Sequence, residues 1–454
     1  MSLVGELAAR AHAVAAVAMP PAVRATVRAH LTDAVGALVA GRSTIEGSVA
    51  GLARTLSPEF GAARRTAFVG GVYAHAWEAG DIHRGAVLCP GCVVLPATLA
   101  VLPARPGASA DEYERAYLAG YEVALAAGAV IGGDRLIQRG WWPTALLAPL
   151  GAAAAAAVLL DRPPEVTASA IALAAQHAGG SIAGATDRAD GKYLLAGFAA
   201  ERAVTAFLAA DSGWTGPLDI LDAPRSPLRR ESLRLPEPYL TPGTSLKPHA
   251  GAKHLQGAID AVLELRRAGG WRPGEVRRLT CLLPAQLAGI VDRPPPFSSP
   301  LSALGSAQFV LAIAAIRGHC TPWDFDDAAL RDDTVLELAR VVRVEPAGDL
   351  TAAYPAKWGA RVELTTVSGV ATADRLDARG DPGNPLSHDE IVAKFTTLAT
   401  RELGSERARA VAESLLRPGA GVSALREHVL PLLSGTFVRP PENAAAGAKP
   451  GGSS

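Results

Sequence analysis

The chemistry-bearing residues of the chain are densest between Asp81 and Cys92, where Asp81-Ile-His83 is followed by Cys89-Pro-Gly-Cys92. With a reference pKa of ~6.5, His83 is the natural candidate for a general base or acid near neutrality. The structural alternative is a histidine that caps a helix. Two cysteines at this spacing can bind zinc or exchange a disulfide. Zinc would need two more ligands, and Cys281 and Cys320 are isolated, with only His319 beside them. A redox pair belongs at a helix start inside a βαβ unit, whereas the surrounding sequence reads as helical. Cys89 is therefore read as a thiol lining a pocket. Two lysines also stand out. Lys192 lies between Gly191 and Tyr193 just ahead of a mostly apolar helix, and Lys247 lies where the helical pattern gives way to a mixed one. A charge in apolar surroundings is costly unless it is used.

The elements that must position these groups are mostly helices. Pro20 and Pro21 precede Val23, Val27, Leu31, Val35 and Leu38, whose spacing lines one helical face, and Gly41 is expected to end the pattern. Ser109-Ala-Asp-Glu112 is a capping box that opens a long helix towards Gly132. Further helices are predicted over Leu146 to Leu160, Val166 to Ala178 and Leu194 to Ala210, and their many small residues would let backbones approach closely. The stretch from Asp222 to Gly243, rich in Pro, Arg and Ser, reads as a surface connection. Beyond it, Arg277 to Ile290, Val341 to Val344 and Arg361 to Val367 read as strands with helices between them. Ser387 then caps a helix through Ile391 and Phe395, and the Pro, Gly, Ala and Ser that dominate from Arg439 predict a disordered tail.

Composition bounds the class. At 454 residues, two domains are expected. Apolar residues make up 49% and charged residues 19%, the balance of a folded protein. Basic and acidic residues number 44 each, so the basic stripe of a nucleic-acid-binding domain is not expected. Glu6 and Arg10 interrupt the opening where a signal peptide needs an apolar stretch. The run from Ala145 to Leu160 is broken by Pro149 and Gly151 and falls short of the ~20 residues that span a bilayer. Four cysteines are too few for a disulfide scaffold, so a reducing, cytoplasmic compartment and no membrane partner are the expectation.

Several segments carry a resemblance in one fixed order: Thr32-Asp33-Ala-Val-Gly36 to Gly41, Asp81 to Gly91, Gly120-Tyr121-Glu122-Val123, Lys192 with Gly197-Phe-Ala-Ala200, Leu246-Lys247-Pro248 leading to Asp260, and Pro385-Leu-Ser387 to Phe395. In these the chain resembles the MmgE/PrpD family of 2-methylcitrate dehydratase, cis-aconitate decarboxylase and iminodisuccinate epimerase. The resemblance implies a mostly α fold, with an all-helical domain from residues 1–243 and 386–436, an α+β lid domain inserted over 244–385, and a tail over 437–454. It also implies a homodimer, an active site in the cleft between domains, and no metal or organic cofactor.

Members of that family act at a carbon beside a carboxylate by losing water, losing carbon dioxide or moving a proton. Lys192 and Lys247 match the family's two lysines, which implies carboxylate clamps or proton carriers. Asp81 and His83 fall on the segment the family folds into its pocket, and Glu78 matches an acidic position ahead of it. Lys253 and His254 occupy a stretch where relatives place basic and histidine side chains. Three positions depart: Cys89 and Trp142 stand for family histidines, and Phe309 for a family tyrosine. Each loses hydrogen-bonding or proton-transfer capacity, apart from the weaker thiol of Cys89, and Trp142 with Trp141 would make the pocket bulkier and more apolar, which points to a larger, less acidic substrate carrying a carboxylate or carbonyl. The leading expectation is a cofactor-independent lyase of the dehydratase type in a biosynthetic pathway. A decarboxylase, epimerase or cyclase on the same scaffold, a weakened binding or scaffold protein, and a thiol oxidoreductase are the alternatives.

Overall fold

The computed structural model describes residues 1–55, 61–182, 191–297 and 299–434, so the tail expected over 437–454 lies outside the described residues. Helices carry the N-terminal half: α1 (Leu3–Ala16), α2 (Pro21–Thr55), α3 (Ala62–His75), α4 (Gly91–Val101), α5 (Ala110–Ile131), α6 (Gly133–Gln138), α7 (Pro143–Leu159), α8 (Pro164–Gln176) and α9 (Gly191–Asp211). The capping box forms as read, with Ser109 accepting from the Glu112 N–H and Glu112 reaching back to the Ser109 N–H. Helix α2 does not end at Gly41 but continues to Thr55. Gly41 serves packing instead, since a β-carbon there would stand 2.0 Å from the Tyr73 carbonyl oxygen in α3. The same holds between α5 and α7, where a β-carbon on Gly151 would meet the Gly120 carbonyl oxygen at 2.1 Å. Helix α9 is long and apolar enough to cross a membrane by length and composition. It packs against α3, α7 and α8, and that burial accounts for its composition.

The connection after α9 is not wholly at the surface. Leu221 and Leu228 are buried, and Arg230 pairs with Glu6 and Asp222 at 3.0 and 2.6 Å. Its end is fixed by Glu122, a fully buried carboxylate that accepts from the N–H groups of Tyr239 and Thr241 and from the Thr241 hydroxyl. This anchor sets where the chain leaves the helices and enters the segment bearing Lys247.

The middle of the chain mixes helices α10 (Gln256–Ala268), α11 (Ala285–Val291), α12 (Pro300–Leu304), α13 (Ala307–Arg317), α14 (Asp333–Val341) and α15 (Gly348–Ala353) with a small sheet. A two-residue ladder, β1 (Ile82–His83) and β2 (Thr244–Ser245), precedes that sheet. Its strands, in the order β4-β3-β5-β6, are β3 (Val276–Leu283), β4 (Val342–Pro346), β5 (Ala360–Thr366) and β6 (Gly369–Arg375). Strands β3 and β4 are parallel, and the other pairs are antiparallel. The expected strand from Arg277 to Ile290 stops at Leu283 because Pro284 cannot donate to a ladder and instead caps α11. Strand β6 escaped notice in the sequence because residues Gly369 to Thr372 are all exposed and carry no apolar alternation.

Helices α16 (His388–Leu403), α17 (Ser405–Leu416), α18 (Gly421–Ala424) and α19 (Leu430–Ser434) close the described chain, with Ser387 forming a capping box at the start of α16. Two hydrophobic cores result. One joins the N-terminal helices with Val392, Phe395, Ala399 and the buried face of α17. The other collects the middle segment, and Trp77, Ala79 and Leu398 reach into it from the helical side. The loop after α3 thus lies between the two cores, and the candidate site is built around it.

Candidate active site

Three short connections hold the site together. The β1–β2 ladder pairs Ile82 with Ser245 and His83 with Thr244, tying the loop after α3 to the strand that leads into Lys247. Asp81, just before the ladder, accepts from the Gly91 N–H at 3.2 Å and from the Tyr121 hydroxyl at 2.7 Å. Asp381 accepts from Ser245 Oγ, Lys253 Nζ and the Ala378 N–H, locking the other end of the segment. Buried Asp381 therefore ties the chain on either side of Lys247, through Ser245 and Lys253, while buried Asp81 fixes the loop that pairs with it.

Around that frame a cluster of ionisable groups converges. His75 ends α3, and Glu78 follows in a turn with φ of 48°, a left-handed conformation that costs a non-glycine residue stability. Lys192, in the first turn of α9, forms an ion pair with the Glu78 carboxylate, and the Tyr193 hydroxyl lies 3.4 Å from the same oxygen. Burial opposes ionisation of Glu78, but Lys192, His75 and Lys247 outweigh it and hold its carboxyl well below the usual range. Burial pushes His75 down to about 3 and His254 down to about 4, with Glu78 opposing and the two lysines assisting in both cases. Both imidazoles are therefore neutral near pH 7. His75 Nε2 and His254 Nδ1 are buried without a hydrogen-bond partner. Aromatic rings flank them: Trp142 lies 4.6 Å from His75 between ring centres, and Trp358 stacks on His254 at 5.2 Å.

Lys247 is the unusual member. It is 3% exposed, and among the described residues it makes no ion pair or hydrogen bond. Its charge acts on His75, Glu78, Cys89 and His254, and so does that of Lys192. The two ammonium groups, 55 positions apart by number (247 − 192), thus address the same four buried groups. A buried lysine whose charge meets that of Glu78 without a direct pair is costly, and the arrangement can accept an anion.

The structure does not group every residue read from the sequence. His83 and Asp81 share a loop but no hydrogen bond: His83 Nδ1 accepts the Ala86 N–H at 3.1 Å, while Asp81 is committed to Gly91 and Tyr121. Burial and Arg84 push His83 to about 4, and the ionisable groups that act on it are Arg84, Asp81 and His30 rather than the lysines. Lys253 pairs with Asp381 and is a strut. Phe309 is fully buried in the core of the mixed unit, edge-on to Phe297 at 5.0 Å and beside Phe325 at 5.6 Å. Cys89 does reach the cluster; burial pushes its thiol up to about 12, so it stays neutral. Cys92 Sγ donates to the Cys89 carbonyl, Cys281 and Cys320 are buried in the other core, and all four thiols are free. Among the described residues no three His, Cys, Asp or Glu side chains come together as metal ligands.

Reading the sequence missed His75, Tyr193 and Trp358. His75 lies only three residues before Glu78, and the turn that follows α3, closed by the Glu78 N–H on the His75 carbonyl at 3.1 Å, brings the two together. Trp358 had no local signal, being more than a hundred positions from His254.

The chain is similar in sequence to several known proteins. The cis-aconitate decarboxylase-like protein oryM of Aspergillus oryzae is 26% identical over 424 residues, covering 86% of this chain and 85% of its own. The cis-aconitate decarboxylase of Mus musculus is 27% identical over 356 residues, covering 74% of this chain and 72% of its own. The human cis-aconitate decarboxylase is 26% identical over 357 residues, with 74% and 73% covered. The MmgE/PrpD N-terminal domain matches residues 5–229 and the MmgE/PrpD C-terminal domain matches residues 249–417, most of the chain between them, and the protein accordingly belongs to the MmgE/PrpD family.

Proposed function

We propose that the protein is a cofactor-independent lyase acting on a small carboxylate-bearing metabolite, with decarboxylation or dehydration as its reaction. The observation that carries this reading is Lys247, a buried lysine that makes no ion pair or hydrogen bond among the described residues. An anionic substrate would supply the missing direct partner. Family membership supports a lyase-type enzyme on small metabolites, and the names of the three relatives favour the carboxy-lyase form. The mixed segment over 244–385 serves as the lid in this reading, and the site opens where it meets the helices.

In the resting protein Glu78 occupies Lys192. A substrate carboxylate would bind Lys247 and compete with Glu78 for Lys192. In decarboxylation the C–C bond to the departing carboxylate breaks, carbon dioxide leaves, and the electron pair stays on the neighbouring carbon until a proton returns. In dehydration a base removes the proton beside the retained carboxylate, and hydroxide leaves with a second proton. Both routes place negative charge next to a held carboxylate or carbonyl, where a preorganised ammonium stabilises it. Neutral His75 and His254, with free ring nitrogens in the cluster, are the proton carriers of this proposal. A bound anion raises their basicity by favouring the charged imidazolium. Trp142 against His75 replaces a titratable group with an apolar wall, so the preferred substrate carries fewer acidic groups and a larger apolar portion.

The test is to incubate small di- and tricarboxylates, and larger apolar carboxylates, with the protein in deuterated water while following carbon dioxide release, water loss and deuterium uptake. Wild type is expected to convert at least one class, and Lys192→Ala to lose that turnover while keeping its thermal transition. No product and no isotope uptake with any class would remove the proposal.

A further inference from the structure

Glu78 stands where two donors meet. Its backbone N–H donates to the His75 carbonyl at 3.1 Å inside a left-handed turn, so the side chain swings from an anchored α-carbon. One carboxylate oxygen, Oε1, takes both donors: Lys192 forms the ion pair, and the neighbouring Tyr193 hydroxyl donates at 3.4 Å. That second bond is long, because O–H···O contacts ordinarily run to about 2.7–2.8 Å. In the resting protein the ammonium has first claim on the oxygen.

The two donors are held differently. Lys192 has a flexible aliphatic stem, its side chain is 33% exposed, and its ammonium lies 5.5 Å over the Tyr193 ring. Tyr193 is buried, with its ring 6.2 Å from that of His75. The ammonium is therefore able to turn towards an incoming anion while the phenol stays in place. The strut pair of Lys253 and Asp381 offers no such freedom, its side chains being 2% and 0% exposed.

Release of Lys192 leaves a problem at Glu78. Although burial opposes ionisation, Lys192, His75 and Lys247 keep the group a carboxylate. Once a substrate anion engages both lysines, Glu78 faces a second negative charge with its own counter-charges taken, and a largely buried carboxylate needs other donors. The Tyr193 hydroxyl already reaches it, and a closing movement of about 0.7 Å brings the two to the length of a charge-assisted bond. His75 Nε2 lies in the cluster without a partner, but in the proposed reaction it carries the proton.

We propose that Tyr193 is a positioning residue that receives the Glu78 carboxylate when an anion takes Lys192, so that Glu78 is an internal counter-ion passed between two neighbouring side chains. This rests on the reading of the lysine cluster as an anion site. Only hydrogen-bond partners change in the exchange, and no covalent bond is made or broken.

Isothermal titration of the full chain with malonate, a small dianion, tests the exchange. Malonate is expected to bind wild type and to lose most of its affinity in Lys192→Ala. Tyr193→Phe, which keeps the ring and removes only the hydroxyl, should weaken malonate about ten-fold, the effect of one hydrogen bond to a charged group. Glu78→Gln should bind malonate several-fold more tightly than wild type, since no internal carboxylate competes for Lys192. In that background Tyr193→Phe should change the affinity by less than about two-fold, because no displaced charge is left to receive. Retained binding in the double variant also shows that loss of the hydroxyl leaves the site folded. An equal loss in both backgrounds would mean that Tyr193 touches the anion or shapes the pocket, and no loss in either would mean that Glu78 never moves to it. Each of those results overturns the proposal while leaving the anion site standing. Failure of malonate to bind wild type and Glu78→Gln, or binding that survives Lys192→Ala, would remove the anion site and this proposal with it.

Discussion

The buried lysines of this protein fall into two regions that behave in opposite ways. Lys253 and Lys394 are each paired with a buried carboxylate, Asp381 and Asp33, and Lys394 also donates to the Ala79 carbonyl. Both lysines have lowered pKa values, from burial first, with their carboxylates opposing. These pairs are struts: one locks the segment before α16 to the stretch carrying Lys247, and the other ties α16 to α2 and to the loop bearing Glu78. Lys247 is equally buried and has no such partner among the described residues. The difference teaches that depth alone does not mark a functional lysine. The lack of a directly paired carboxylate does, because a chain that only needed to fold would gain by replacing such a lysine.

That contrast can be broken at its strut end first. Asp381→Ala would leave Lys253 and Arg84 facing an uncompensated buried site, and chemical denaturation should show a loss of about 3–5 kcal/mol. A loss within error of zero would mean that the strut holds nothing. At the other end, Lys247→Met should lower kcat/KM by ~10²–10³ on whichever substrate is converted, the scale seen when a single oxyanion donor is removed. Its thermal transition should stay the same or rise, since an unpaired charge has gone. Full activity, or a clear fall in stability, would place Lys247 among the struts.

Acid sensitivity sharpens the comparison on a smaller scale. His75, His254 and His83 have folded pKa values of about 3, 4 and 4, below that of an unfolded histidine. Their depressed values mean that the unfolded chain binds protons which the folded chain refuses. The stability they contribute is complete above pH ~6.5 and drains away as pH falls towards 4, by about 1.4 kcal/mol per pH unit for each histidine. Urea titrations across that window should show the slope, and His254→Asn should flatten it by about one proton. An unchanged slope would mean that His254 is not held neutral. The smallest effect concerns the thiols. Cys89 and Cys92 are buried with raised pKa values, so iodoacetamide at pH 7.5 should leave them unmodified in the native protein, and a Cys89→Ser, Cys92→Ser double variant should keep most of its activity. Rapid labelling would reopen the case for a reactive pair.

Much of the fold was legible because local rules agreed with it. The capping boxes at Ser109 and Ser387 and the alanine-rich helices from Pro143 to Asp211 follow from side-chain chemistry within a few positions. The end of α2 was misjudged for the same local reason: a glycine ordinarily stops a helix, and only Tyr73 in a neighbouring helix explains why Gly41 does not. The site shows the same division. Glu78, Cys89, Trp142, Lys192, Lys247 and His254 come from distant stretches of the chain, and only the fold brings them around one cluster. Asp81 and His83 look like a catalytic pair along the chain, yet the loop turns them to different partners.

By itself the sequence determined which segments are helices, where the pattern turns mixed, and which residues could carry charge into the interior, because spacing, capping and composition act over a few neighbours. Only the tertiary structure decided which of those charges are satisfied. Whether a lysine is a strut or a site depends on what the rest of the chain brings within a few ångströms of its nitrogen, and burial and pairing are properties of long-range contacts that no local window contains.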